Sequence, residues 1–450
     1  MAARGISINK AAVPHNRWSD VEARGVRCLS EVGAGRVRCC GLWFDIGWAG
    51  LQHHGLENGA GPGFSPSGPN AKLYREDDGF PVKDYALAIH PGELHNLKYR
   101  VGAYSHFDQI YPTHRIERAA NPWMFERAAA DIHYSFRGDR SSVEEYLSRN
   151  PVTGLLIAKD DQILFERYQY GRTDRDRFMS QSIAKSITAM LVDIAMGQGA
   201  IDSVEDLAEK YVPGFKDSEY GKTPIRDLLH MSSGVEFGET KDGQRDLNRL
   251  WIDMVLGLGQ TKGTINSIVQ FNRRIALPGT KYFYASIEAD VVGVVLHYAV
   301  NQSLSDYLQE NLWGPIGAEA HAAWVIDAQG VKVAHGFFNA VVRDYARLGR
   351  LLAHDGSWEG KQIIPAQYML DATTTRPSDA YLAPGKAMPP LGYGYFIWLL
   401  PGARRQFTLI GANGQRLYVD PASKLIMVQT AVEDTEEVWR LWSTLVKQFG

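Results

Sequence analysis

From about residue 131 onward the apolar positions recur with regular periods. Ile183, Ile187, Met190, Leu191 and Ile194 fall at helical spacing, which predicts a helix with one buried face, closed by Gly197 to Gly199. Val341 to Ala353 predicts a second, amphipathic helix, with Tyr345, Leu348, Leu351 and Leu352 on one face. A shorter helix is expected from Val143 to Asn150. Ser142 is its N-cap and Glu145, three residues on, completes a capping box. The β-rich runs 153–159 and 162–168, joined by Asp160-Asp161, read as a hairpin. In Thr223–Gly234, Pro224 opens a helix and Gly234 ends it. Pro278-Gly279 then launches an extended aromatic segment, followed by an apolar helix from Ala289 to Val300. The last hundred residues return to strands at 394–400, 406–410, 415–419 and 425–430, an antiparallel meander, before a final helix from about Glu436 to Phe449.

Strands at both ends with helices between predict an α+β fold. One antiparallel sheet flanked by helices is built from 131–204 and 341–450, with a mostly helical domain, 205–340, inserted between. Residues 1–130 differ in kind. Gly and Pro are dense, as in the run Gly59 to Pro69, yet aromatics are frequent: Trp18, Trp43, Trp48, Tyr74, Tyr99, Tyr104, Phe107 and Tyr111. That mixture predicts a loop-rich extension wrapping the core rather than free disorder.

Composition narrows the partner. Of 450 residues, 45% are hydrophobic and 22% charged, ordinary globular values. A net charge of −3 gives no electrostatic case for nucleic acid or an anionic membrane, so a small molecule is expected. No apolar run reaches the roughly 18 residues of a membrane span; Asp193 breaks the best one, 187–196. The first ten residues lack the apolar core of a secretory leader, and a cytoplasmic protein is expected. The three cysteines, Cys28, Cys39 and Cys40, are an odd number, which argues against a disulfide framework. Cys39, Cys40, His53 and His54 fit no zinc spacing, so neither metal nor cofactor is expected. Oligomeric state stays open, a homodimer included.

The chemistry gathers at Ser182-Ile-Ala-Lys185. Residues three apart on a helix share a face, so Lys185 can bring its ammonium to the Ser182 hydroxyl. A helix start also favours the negative charge of an alkoxide or oxyanion. Serine becomes a competent nucleophile when an adjacent base takes its proton. The pattern alone is common: Ser7-Ile-Asn-Lys10 repeats it with no helix behind it. His230, in the last turn of its helix, reads as a structural histidine.

Several further segments stand in order after Ser182-Ile-Ala-Lys185. They are Leu228-Leu-His-Met-Ser-Ser-Gly234, Pro278-Gly279 with Tyr284-Ala-Ser286, the run Gly336 to Gly349, and Gly411-Ala-Asn-Gly-Gln415 leading to Pro421. Together they resemble the serine β-lactamase-like superfamily over roughly residues 130–450: penicillin-recognising enzymes, class C β-lactamases, family VIII carboxylesterases and nylon-oligomer (6-aminohexanoate-dimer) hydrolases, the last two branches being the most similar in appearance. The resemblance implies Ser182 as the acylated nucleophile, Lys185 as its proton partner, and Tyr284 as the tyrosine that protonates the leaving group and activates the deacylating water. It leaves open whether Lys185 or Tyr284 removes the Ser182 proton; a phenol beside an ammonium titrates with it as a pair. It implies an oxyanion hole from the backbone N–H groups of Ser182 and Ala412, and substrate contacts at Ser286, Gly411 and Asn413. Gln415 reads as a strand-end residue as readily as a ligand contact.

Two departures bear on the substrate. Leu409-Ile410-Gly411 stands where β-lactamases and peptidases carry Lys-Thr-Gly, and Ser286 replaces the usual asparagine of the tyrosine motif. An apolar strand edge suits an uncharged acyl group. The expectation is a serine hydrolase acting on a carboxylic ester or linear amide. An acyltransferase, weak β-lactamase or D-aminopeptidase-like activity, and a silent binding protein of the same fold are the alternatives.

Overall fold

A computed structural model describes residues 96–239 and 245–450 without interruption, together with 66–76, 84–88, 93 and four strands before residue 46. Residues 1–59 and 60–450 form two compact units. In the first, Val21–Ala23, Val26–Glu31, Arg36–Cys39 and Leu42–Asp45 pair in chain order as an antiparallel sheet. Ser7, Lys10, Cys40, His53 and His54 lie outside the described residues, as do the side chains of Cys28 and Cys39.

The second unit is organised by a sheet that is eight-stranded among the described residues. Its order is Gly392–Tyr393, Trp398–Leu399, Phe407–Gly411, Gln415–Asp420, Leu425–Ala431, Val152–Lys159, Gln162–Tyr168 and Glu126–Arg127. Every neighbour pair is antiparallel except the last. Phe407–Gly411, Gln415–Asp420 and Leu425–Ala431 pair in chain order as the expected antiparallel meander. Val152–Lys159 is an inner strand and is buried on both faces, with alternate residues serving different cores. Leu155 and Ile157 pack with Tyr146, Leu147, Leu441 and Trp442, from the helices Val143–Arg149 and Glu437–Phe449. Leu156 and Ala158 belong to the larger core with Leu348 and Leu351 of Val342–Ala353 and Ile187 of Ile183–Gly197. Burying each of the leucine and isoleucine side chains contributes roughly 1.5–3 kcal/mol, so the strand is doubly anchored. The capping box forms as the sequence predicts: Ser142 accepts from the Glu145 N–H and the Glu145 carboxylate accepts from the Ser142 N–H.

A second sheet, Phe178–Met179, Phe338–Ala340, Ala322–Val325 and Thr113–Ile116, adjoins the nucleophile segment. Its strands are two to four residues long, too short to leave a period in the sequence. Thr113–Ile116 comes from the N-terminal stretch, where Tyr74, Val101, Tyr104 and Phe107 are also buried in the large core. No helix among the described residues is long and apolar enough to cross a membrane.

Three expected elements differ in form. The helix opened by Pro224 is only Ile225–Leu229, because Met231 turns into the left-handed region and the Ser232 N–H bonds back to Asp227. The apolar helix expected from Ala289 begins three residues earlier, so that Ser286 is the first residue of the helix Ser286–Val300. The expected strand 394–400 is a tight hairpin between Gly392–Tyr393 and Trp398–Leu399. Its tip is pinned from outside the sheet: the Phe396 N–H donates to the Leu229 carbonyl, and the Phe396 carbonyl accepts from Ser186 Oγ.

Candidate active site

Ser182 stands just ahead of the helix Ile183–Gly197, in the N-cap position, yet its hydroxyl caps nothing. It accepts instead a 2.8 Å hydrogen bond from Lys185 Nζ. The preceding residue, Gln181, is held at φ +48°, in the left-handed region that a residue with a side chain enters at a cost. Its neighbours enforce this. The Ser180 N–H donates to the Phe338 carbonyl, Ser180 Oγ accepts from the Phe338 N–H, and the end of Phe407–Gly411 presses on the same segment. The turn therefore presents Ser182 at the junction of both sheets.

Lys185 is buried, 1% exposed. Besides Ser182, its ammonium donates to the His335 carbonyl at 2.8 Å and lies 5.1 Å from the ring centre of Tyr284. The Tyr284 ring is stacked on Trp398 at 5.9 Å and 19°, and Tyr393 meets it edge-on. Tyr282, two residues earlier in the same segment, is different: its hydroxyl is buried without a hydrogen-bond partner and burial pushes its pKa far up. The tyrosine beside Lys185 is thus Tyr284.

The remaining sites expected from the sequence differ in what their polar groups do. Neither the Ser182 nor the Ala412 N–H has a hydrogen-bond partner among the described residues, as two donors of an oxyanion hole require. Gly411 makes a close approach, but to the chain before the nucleophile: a Cβ there would lie 2.3 Å from the Ser180 carbonyl oxygen. Asn413, at φ +58°, spends its amide on the Tyr104 hydroxyl at 2.6 Å. Ser286 gives both its N–H and its hydroxyl to the carboxylate of Glu239, which thereby caps the helix Ser286–Val300. Gln415 is a strand-end residue, its amide donating to the Ala431 carbonyl.

His230 is a core histidine. It packs against Tyr395, its Nδ1 has no partner, and burial with the nearby Arg226 and Arg376 cations holds its pKa down to about 3. It stays neutral at physiological pH.

Sequence reasoning passed over Tyr104, Glu239, Asp290, His335 and Trp398. Each acts through a contact between segments far apart in the chain, up to 309 residues for Tyr104 and Asn413. The one available signal was Asp290, a carboxylate inside the apolar run of its helix.

Comparison with known proteins gives the family and the fold. The family model described as Beta-lactamase matches residues 140–438, well over half of the chain. The 6-aminohexanoate-dimer hydrolase of Paenarthrobacter ureafaciens is 22% identical over 297 residues, covering 64% of this chain and 74% of that protein. Among solved structures, a "putative 6-aminohexanoate-dimer hydrolase" from Bacillus anthracis superposes with a TM-score of 0.70 at 21% identity, over 79% of this chain and 94% of its own. A family VIII carboxylesterase gives 0.51 at 16% identity, over 66% and 93%. The likeness to these solved structures is one of fold, the α+β arrangement of helices and antiparallel sheet described above. The chain belongs to the Beta-lactamase family and is a hydrolase of the β-lactamase superfamily.

Proposed function

We propose that the protein is a serine hydrolase that forms an acyl-enzyme on Ser182 and cleaves a carboxylic ester or a linear amide. The observation that carries this reading is the 2.8 Å hydrogen bond from buried Lys185 Nζ to a Ser182 hydroxyl that serves no structural bond. As Ser182 Oγ attacks the acyl carbon, its proton passes to the Lys185–Tyr284 pair. The carbonyl oxygen becomes an oxyanion between the N–H groups of Ser182 and Ala412. Collapse breaks the bond to the alcohol or amine, which leaves with a proton returned by Tyr284. Water then attacks the ester on Ser182, losing a proton to Tyr284; collapse breaks the bond to Ser182 Oγ, which takes that proton back as the carboxylic acid departs.

Two features support an uncharged acyl group. Leu409 and Ile410 put no cation or hydroxyl on the strand edge, and the aromatic group Tyr282, Tyr284, Tyr393 and Trp398 makes the neighbouring wall largely apolar. A 6-aminohexanoate-dimer hydrolase among the relatives and a carboxylesterase among the structural neighbours support a linear amide or ester. A panel of p-nitrophenyl esters of rising acyl length, beside a chromogenic cephalosporin and a linear amide oligomer, tests the reading. An ester or the amide is expected to turn over fastest; a cephalosporin faster than both overturns it.

A further inference from the structure

Lys185 depends for its position on a carbonyl group, and that carbonyl sits in a loop fixed from four directions. Asp290, fully enclosed in the helix Ser286–Val300, accepts two hydrogen bonds from one residue: from the His335 N–H at 3.2 Å and from His335 Nδ1 at 2.7 Å. Both side chains are buried, at 1% and 7% exposure. One turn along the same helix, Gly293 lets the loop lie against it, since a Cβ there would come 2.6 Å from the Ala334 methyl. Trp324 Nε1 reaches carbonyls on both sides of residue 335, Val333 at 2.9 Å and Gly336 at 3.1 Å. The His335 ring packs edge-on against Phe337, itself held at φ +65°. The product of these constraints is one fixed acceptor, the His335 carbonyl, 2.8 Å from Lys185 Nζ.

A carboxylate is costly to bury and is retained only where its partners repay it. Surface packing of the loop would not require one. We infer that Asp290 and His335 are positioning residues for the nucleophile. The carboxylate clamps residue 335 by its N–H and its ring, so that the carbonyl between Asp290 and Lys185 holds the ammonium beside Ser182 Oγ. Released from that clamp, Lys185 is free to swing away from the serine. A shift of about 1 Å in such a group costs on the order of a hundredfold in rate. This inference rests on the acyl-enzyme reading above.

The test measures the second-order rate of phosphonylation by a fluorophosphonate in the full chain, with steady-state kcat and KM on a p-nitrophenyl ester and the melting temperature. Asp290→Ala is expected to slow phosphonylation and kcat by about tenfold to a hundredfold with KM little changed. Asp290→Asn can still accept from the 335 N–H and meet the ring's other tautomer, so it should recover most of the rate. His335→Ala keeps the carbonyl and the backbone bond, and should fall between them; it carries the test if Asp290→Ala does not fold. Wild-type rates in Asp290→Ala, or in His335→Ala where the former is unfolded, overturn the inference, as does an Asn variant as slow as the Ala variant. If the wild-type protein itself takes no label at Ser182, the acyl-enzyme reading has failed instead.

Discussion

Adding one methyl group at residue 411 should disable the site without touching any reacting side chain. In Gly411→Ala the new carbon would lie 2.3 Å from the Ser180 carbonyl oxygen and 2.8 Å from the Cβ atoms of Gln181 and Gln415, where ordinary contact begins at 3.4 Å. The strand and the Ser180–Gln181 segment must therefore separate by about 1 Å. Neither is free to yield. Ser180 is bonded twice to Phe338, and Gln181 is already held at φ +48°. The displacement widens the gap between the Ser182 and Ala412 amides, the two proposed oxyanion donors. A 1 Å misplacement costs about a hundredfold, equivalent to about 2.7 kcal/mol of transition-state stabilisation. The strain itself should cost about 1–3 kcal/mol of stability. Steady-state hydrolysis of a p-nitrophenyl ester by the variant, with urea unfolding alongside, measures both. A kcat/KM within twofold of wild type in a folded variant would refute the placement of the oxyanion donors on either side of this contact.

Other predictions follow from the same geometry. Tyr284→Phe removes the hydroxyl while keeping the ring on Trp398, and should cost at least the roughly hundredfold of a lost general acid–base in ester hydrolysis; Tyr282→Phe, which removes a hydroxyl that makes no hydrogen bond, should stay near wild type. Asp193 is buried with one oxygen unpartnered, and burial, with Asp371 nearby, raises its pKa to about 9. A carboxyl group raised in the folded state is tolerated below its ordinary value of 3.8 and costs stability progressively as pH climbs from there towards 9, by up to about 1.4 kcal/mol per pH unit. Asp193→Asn removes that cost, so its stability advantage over wild type in urea unfolding should be larger at pH 8 than at pH 5; an equal difference at both would mean the group is not buried as described.

How much of this was readable from residues alone depended on distance along the chain. Ser182 and Lys185 are three apart on a helix, so their meeting is a local consequence of helical geometry. The capping box at Ser142 and Glu145 was legible for the same reason. Tyr284 needed the resemblance, because nothing in its own segment separates it from Tyr282; burial and the Lys185 contact do that in three dimensions. The role of Gly411 was half legible. A glycine at a strand end signals a close approach, but not that the approaching group is the Ser180 carbonyl. Asn413 and Ser286 read as substrate contacts, and in the fold their polar groups are engaged by Tyr104 and Glu239. Such pairings join segments whose order in the chain carries no trace of their proximity. The hairpin at Gly392–Leu399 was misread as a strand because its turn is set by Leu229 and Ser186, outside the segment.

The central claim is that Ser182 is an activated nucleophile, and intact-mass measurement after incubation with a fluorophosphonate tests it most directly. The account predicts a single adduct, mapped by peptide analysis to Ser182, formed at a rate that falls sharply in Lys185→Ala and absent in Ser182→Ala. A folded protein that stays unmodified, or an adduct that persists in Ser182→Ala, would contradict it.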